Sequence, residues 1–194
     1  LTVTLPVTES GDPDWEYMDS YMSKIMDESE YMADILSAEK FLKTKIDVNM
    51  WQEFEMRLGL GFDIFHGRRL NKANRIDGEV PFVTAGHENR GVKQYIETDR
   101  TKYKNPITVD MFGNCFYHPY ECCGDDNVYF FVNDKISDLS KLFISTSINV
   151  RTRHIYNYNE QFRQRDANSL TVTLPVTESG DPDWEYMDSY MSKI

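Results

Sequence analysis

Residues 1–25, LTVTLPVTESGDPDWEYMDSYMSKI, return letter for letter as residues 170–194. Divergent solenoid repeats do not keep such identity, so the repeat reflects duplication, recombination or construction. Within each copy the pattern is physical. Leu170, Val172 and Leu174 alternate with Thr171 and Thr173, the period of a half-buried strand, and Pro175 ends it. Gly180, Asp181 and Pro182 then suit a turn with aspartate at the N-cap and proline in the first helical position. Asp183 and Glu185 follow, where a helix dipole favours negative charge. Each copy is therefore expected to be a strand, a turn and a helix start.

The first copy is expected to continue into a long helix from about Pro13 to Lys45. Trp15, Met18, Met22, Ile25, Met32 and Leu36 recur at three- and four-residue steps, with Ser29 interrupting the seam. At 1.5 Å per residue such an arm is about 45–50 Å long, more than one small domain can cover. Those six residues are the candidates for packing against another helix or a partner. A helix lying on its own domain is the alternative.

Between the repeats the periodicity shortens. Val80–Thr84, Val92–Ile96, Ile107–Met111, Cys115–His118 and Val128–Val132 read as strands. Gly113-Asn114 suits a hairpin, and residues 138–150 read as a helix buried through Leu139, Leu142, Phe143 and Ile144. The strand at Leu170 is expected to close the sheet. The expectation is an α+β fold: a compact mixed domain over 50–174, a repeat strand and spacer helix over 1–49, and a short second spacer over 175–194.

Charge is distributed unevenly. Residues 1–50 carry 4 Lys/Arg against 11 Asp/Glu, residues 170–194 carry 1 against 5, and residues 51–169 carry 16 of each. The net −11 therefore belongs to the ends, and a neutral middle with local basic clusters can still meet phosphate. Arg68, Arg69, Lys72 and Arg75, interleaved with Asn71 and Asn74, form the densest such cluster. Arginine and lysine suit guanine, asparagine suits adenine, and all of them bind phosphate. His87, Asn89 and Arg90 form a second candidate, Lys102 and Lys104 around Tyr103 a third, and Arg151 with Arg153 a fourth, placed on one face of a strand. Each also has a plainer reading as solvated charge, and Tyr117 reads better as core than as a base-stacking ring.

Three cysteines close together, Cys115, Cys122 and Cys123, argue against a disulfide framework and fit a reducing cytoplasm. With His118 their spacing is too cramped for a typical zinc site, so buried thiols are the better reading. No apolar run reaches the roughly 18 residues of a membrane span, and the N-terminus lacks a signal-peptide pattern. Catalysis finds no support. The lone Gly59-Leu-Gly61 lacks a surrounding strand–helix–strand unit, and there is no P-loop or methyltransferase motif. Asp125-Asp126 lacks a nuclease partner motif, and His66 and His154 lack a nucleophile.

One order of motifs resembles a known family. Trp51-Gln-Glu-Phe54, Phe62-Asp-Ile-Phe65 and Gly67-Arg-Arg-Leu70 resemble the entry to a target recognition domain. Gly78-Glu-Val-Pro-Phe-Val-Thr84, Asn89-Arg-Gly-Val92, Ile107-Thr-Val-Asp110, Phe112-Gly-Asn114, Phe116-Tyr117 and Asp126-Asn127-Val128 follow in the family's order. Leu174-Pro175 and Pro182-Asp-Trp184 resemble the join to its spacer helix. The chain is thereby similar to specificity subunits of type I restriction–modification systems and of related single-complex restriction enzymes. Such subunits carry two recognition domains, each reading half of a split site, whereas one is present here, as in a half-subunit. The resemblance implies a non-catalytic, cofactor-free, cytoplasmic DNA-binding protein. Its implied partners are double-stranded DNA, methyltransferase subunits, a restriction subunit, and a second copy or another half-subunit. A competing reading is a protein-interaction half-subunit that dimerises or binds methyltransferase partners without useful DNA affinity.

Overall fold

The computed structural model describes residues 4–25 and 50–194. They fall into two compact units, residues 1–47 and 48–194. In the first, Val7 bridges Pro13 around a turn, and helix α1 covers residues 15–25. Asp14 caps α1, its Oδ1 accepting from the Tyr17 amide at 2.9 Å. The rest of the expected arm, with Met32 and Leu36, lies outside the described residues.

The second unit begins with β1 (Trp51–Glu55) and β2 (Asp63–His66), continues through β3 (Ile76–Val83), β4 (Val92–Glu97), β5 (Ile107–Asp110), β6 (Cys115–Tyr117), β7 (Cys123–Gly124) and β8 (Val128–Val132), and ends with α2 (Asp138–Thr152), α3 (Gln164–Asn168), β9 (Thr171–Pro175) and α4 (Trp184–Met191). The order β2-β8-β5-β6 makes an antiparallel sheet, and β4-β3-β7 makes a second. In that second sheet β7 runs parallel to β3. Mixed sheet and helix agree with the expected α+β class, and β8 has the expected bounds. Strands β1, β2 and β7 were not foreseen. β7 is only two residues long, and β1 and β2 show half-exposed rather than alternating burial.

Strand β9 differs from expectation in its partner. It pairs antiparallel with β1 alone, with Phe54 opposite Val172 and Gln52 opposite Leu174, so it builds a separate ribbon rather than closing a sheet. Val172 and Leu174 are drawn into the main core, where α2 and α4 also pack. The segment from 175 onward thus packs on the domain it follows.

Two local details also differ. The N-cap of α4 is Asp183, whose side chain accepts from the Tyr186 amide at 2.9 Å. Pro182 is held in a bridge to Val176, and Asp181 is taken up by the turn, its carboxylate accepting from the Ser179 hydroxyl at 2.8 Å. The helix therefore starts two residues later than the first proline would allow. On α2, Phe143 and Ile144 are buried with Ile148, but Leu139 and Leu142 are exposed. Ser140 and Ser145 take the inner positions instead. Their hydroxyls are satisfied by Asp188 and by the Leu142 carbonyl, so a polar residue sits inside without an unmet bond.

The β5–β6 hairpin is tied by Asp110, which is 4% exposed. Its carboxylate accepts from the amides of Phe112 (2.8 Å), Asn114 (3.0 Å) and Gly86 (2.7 Å). Burial pushes this carboxyl above its usual range, and the hydrogen bonds pull the other way. Gly113 holds φ +79 in the hairpin, and a Cβ there would meet the Thr152 carbonyl oxygen at 2.5 Å, so only glycine fits. Cys115, Cys122 and Cys123 are free and buried, and burial raises all three thiols. Tyr117 joins the core.

His118 is fully buried, with Nε2 at 2.9 Å from the Thr108 hydroxyl and Nδ1 at 3.2 Å from the Tyr120 hydroxyl. Burial, and secondarily the Arg90 guanidinium, lowers its pKa from 6.5 to about 4. Below pH 6.5 the unfolded chain takes up this proton before the native one, so stability is lost as pH falls toward 4. The full shift is worth about 3 kcal/mol. Urea titrations between pH 7 and 4 should show His118→Gln losing less stability than the parent across that window. Parallel slopes for the two proteins would contradict this.

Candidate nucleic-acid interface

The short strand β7 organises the basic surface. On one side Val83 pairs with Gly124, and the Asp125 amide donates to the Val83 carbonyl at 3.0 Å. On the other side the Arg68 amide donates to the Gly124 carbonyl at 3.0 Å. The loop following β2 and the loop following β3 therefore both leave from the same turn. Gly67 makes the approach possible, since a Cβ there would lie 2.0 Å from the Asp125 carbonyl oxygen.

Asp125 holds the first loop in shape. Its Oδ1 accepts from the Leu70 amide at 2.9 Å, and its Oδ2 lies 3.6 Å from Arg75, with only 10% and 15% of the Arg75 and Asp125 side chains exposed. Arg75 also donates twice to the Leu70 carbonyl and sits 4.6 Å above the Phe82 ring. This arginine faces inward and braces the loop. Arg68, Arg69, Lys72 and Asn74 remain exposed, the last two on a single 3-10 turn. Arg69 keeps 71% of its side chain in solvent despite an ion pair with Asp126 at 3.6 Å, a surface pair worth little.

Arg100, which no cluster or motif in the sequence singles out, joins this edge. Its guanidinium donates to the Arg68 carbonyl and, at 3.0 Å, to the Arg69 carbonyl. Tyr103 bridges Cys122 at the entry to β7, its amide donating to the Cys122 carbonyl at 2.8 Å, so the segment carrying Arg100 and Lys102 runs beside that strand, and both cations lower the Cys123 thiol that burial raises. Arg68 and Arg100 share a polar cleft with His66 and Tyr103. Tyr103 is stacked between Phe65 and Phe130, at 5.0 and 4.5 Å, while Lys102 and Lys104 on either side of it stay exposed.

The second loop carries His87, Asn89 and Arg90, all exposed. Asn89 and Arg90 have φ of 46° and 53°, consecutive left-handed residues of a kind that is uncommon outside glycine. The Asp110 bond to Gly86 and the Asn89 side-chain bond to the Val92 carbonyl, at 3.2 Å, hold this shape. Arg90 lies 6.0 Å over the Tyr120 ring.

The fourth candidate pair is placed differently from expectation. Arg151 lies in the last turn of α2 and Arg153 is its C-cap, so neither is on a strand. Arg151 bonds Glu53 at 2.7 Å and the Thr171 hydroxyl at 3.0 Å, fastening the helix to the β1–β9 ribbon. Arg153 donates to the neighbouring His154 ring. Of the helix candidates, Trp15, Met22 and Ile25 are exposed on α1 and Met18 is half-buried.

With this geometry in view, one match decides the family. The family model described as type I restriction modification DNA specificity domain matches residues 51–194. The chain belongs to that family. Across its full length this specificity-domain chain is 27% identical, over 201 residues, to the specificity subunit S.BcgI of a type II restriction enzyme from Heyndrickxia coagulans. It spans 58% of that relative's length. Solved structures share the fold at low identity. The S subunit of a type I restriction–modification system from M. genitalium gives a TM-score of 0.52 at 15% identity, covering 90% of this chain and 46% of that one. The HsdS subunit from Thermoanaerobacter tengcongensis gives 0.54 at 13%, covering 92% and 49%. No helix among the described residues of this specificity domain is long and apolar enough to cross a membrane.

Proposed function

We propose that this specificity domain reads one half of a split DNA site and presents it to methyltransferase, and in turn restriction, subunits. The carrying observation is the convergence of Arg68, Arg69, Arg100 and Lys102 around β7, with the loop of His87, Asn89 and Arg90 leaving the same turn. A backbone-clamped loop presents its side chains with little ordering cost, which suits discrimination between base edges. Arg68 and Arg69 sit at the start of the loop with Lys102 and Lys104 exposed on either side of Tyr103, an arrangement that allows phosphates to position what the loops read. These side chains bind DNA and perform no bond-making step; chemistry is left to the partner subunits.

Salt-dependent binding of duplex DNA to the complex with its methyltransferase subunit tests the proposal. Arg68→Ala with Arg69→Ala should weaken binding by about one to two orders of magnitude and reduce the slope of log K against log salt by about 2. Lys102→Ala should weaken all duplexes alike. Equal affinity of the parent complex for every duplex sequence would overturn the proposal.

A further inference from the structure

The loop of residues 84–91, between β3 and β4, has a backbone shape that most of its residues do not favour. Asn89, Arg90 and Gly91 are left-handed in succession, with φ of 46°, 53° and 78°, and Gly86 holds φ of 147°. Such strain persists where the surroundings fix it. Within its own hairpin the loop is closed by the Thr84 amide donating to the Gly91 carbonyl at 2.9 Å, and by the Asn89 side chain donating to the Val92 carbonyl. These bonds close the ring but leave its tilt over the sheet open. Among the described residues, one hydrogen bond ties the loop to another part of the chain: the Gly86 amide donates to Asp110 Oδ2 at 2.7 Å.

Asp110 makes a firm anchor because it is itself held from all sides. Its Oδ1 accepts from the Phe112 and Asn114 amides, and its Oδ2 accepts from Gly86 and, at 2.8 Å, from the Asn114 side chain. Donors on both oxygens favour the charged carboxylate. The hairpin carrying it is fastened to α2 in turn: the Thr152 hydroxyl donates to the Gly113 carbonyl, and the Cys115 amide donates to Asn149 Oδ1 at 3.0 Å. Asp110 is too deeply buried to touch DNA, so any influence on recognition passes through the loop. A cleft of about 300 Å³ opens in that loop, walled by Gly86, His87, Asn89 and Lys93. Shifting Gly86 therefore reshapes the surface offered to a base edge.

We infer that Asp110 is a positioning residue for base discrimination, setting through the Gly86 amide the place at which His87, Asn89 and Arg90 meet the bases. The inference rests on the DNA-reading role proposed above and adds how selectivity is held: α2 fixes the β5–β6 hairpin, the hairpin fixes Asp110, and Asp110 fixes the loop. Hydrogen bonds to base edges weaken steeply with small errors in distance and angle. Charge contacts to phosphate fall off slowly with distance and tolerate the same displacement. Selectivity should therefore depend on Asp110 while salt sensitivity does not.

Exchanging two side chains tests it with the full chain. Asp110→Asn alone turns an amide nitrogen toward donors, disturbing hairpin and loop together. Adding Asn114→Asp returns an acceptor to the hairpin at unchanged net charge and leaves the Gly86 amide facing a donor. The exchanged chain, in complex with its methyltransferase subunit, is titrated with its selected duplex and with every single base-pair substitution of it, across a salt series. Its melting temperature should recover most of what Asp110→Asn loses. The affinity penalty for a substitution should fall at least about fivefold at roughly one to three adjacent base pairs and match the parent elsewhere, with the salt slope unchanged. Parent-like penalties throughout, or a fall shared by every position, overturns the inference. Should the exchanged chain fail to fold, Gly86→Ala decides: its methyl group meets nothing within 4 Å, but φ of +147° strains it, so the same bond is displaced from the loop side. A parent-like profile for that variant overturns the inference equally. A parent complex that prefers no duplex sinks the DNA-reading role and this inference with it, whereas a selective parent matched by an equally selective exchange sinks this inference alone.

Discussion

Asp125→Ala should destabilise the domain by about 3 kcal/mol and disable DNA binding together, because one carboxylate serves both loop shape and charge balance. Without it the Leu70 and Asp126 amides lose their acceptor and the largely buried Arg75 loses its counter-ion. The Arg68–Gly124 bond and the Arg100 clasp on the Arg68 and Arg69 carbonyls would then hold only the start of the loop, leaving the stretch from Leu70 to Arg75 to search many conformations. Asp125→Asn keeps an oxygen for the two amides and removes only the charge, so its loss should be smaller. Urea midpoints and DNA affinities on the same preparations test both statements. A loss under about 1 kcal/mol for Asp125→Ala would mean that the loop is held by its backbone bond.

Met187→Ala should cost about 2–5 kcal/mol, the range for truncating a fully buried side chain in a packed core. The same substitution at Met18, in the same sequence and the same local helix, should cost well under about 1 kcal/mol in an isolated chain. Few comparisons separate packing from propensity so directly, because helix preference, capping and neighbours along the chain are identical. Thermal unfolding of the two variants beside the parent gives the answer. Equal losses would show that the first copy is packed in solution as firmly as the second.

Both predictions turn on how far the sequence reaches. Alternation around Val172 and Leu174 was enough to announce a strand, and the stretch 138–150 announced a helix that the structure keeps as α2, with Ser137 found as its cap, the hydroxyl accepting from the Ser140 amide at 3.0 Å. Clustering alone brought forward Arg68, Arg69 and Lys72, and the order of short motifs brought forward the family. These are local or ordered signals, carried by neighbours in the chain. Arg75 could not be told from Arg68 by composition, since what distinguishes them is an aspartate far along the chain and the Phe82 ring beneath. Arg100 was invisible for the same reason: its role is to clasp the distant carbonyls of Arg68 and Arg69. Leu139 and Leu142 misled because an amphipathic stripe fixes a face only when the opposite residues cannot be buried, and Ser140 and Ser145 found partners that let them in.

The sequence by itself determined that this is an α+β specificity domain framed by two identical strand–turn–helix segments, because hydrophobic period, turn residues and motif order act between near neighbours. Only the tertiary structure decided which arginines face outward, that β9 belongs to β1, and that one repeat is covered while the other is not. Those outcomes depend on which distant surface is present to receive a side chain, and a string of identical residues carries no record of that.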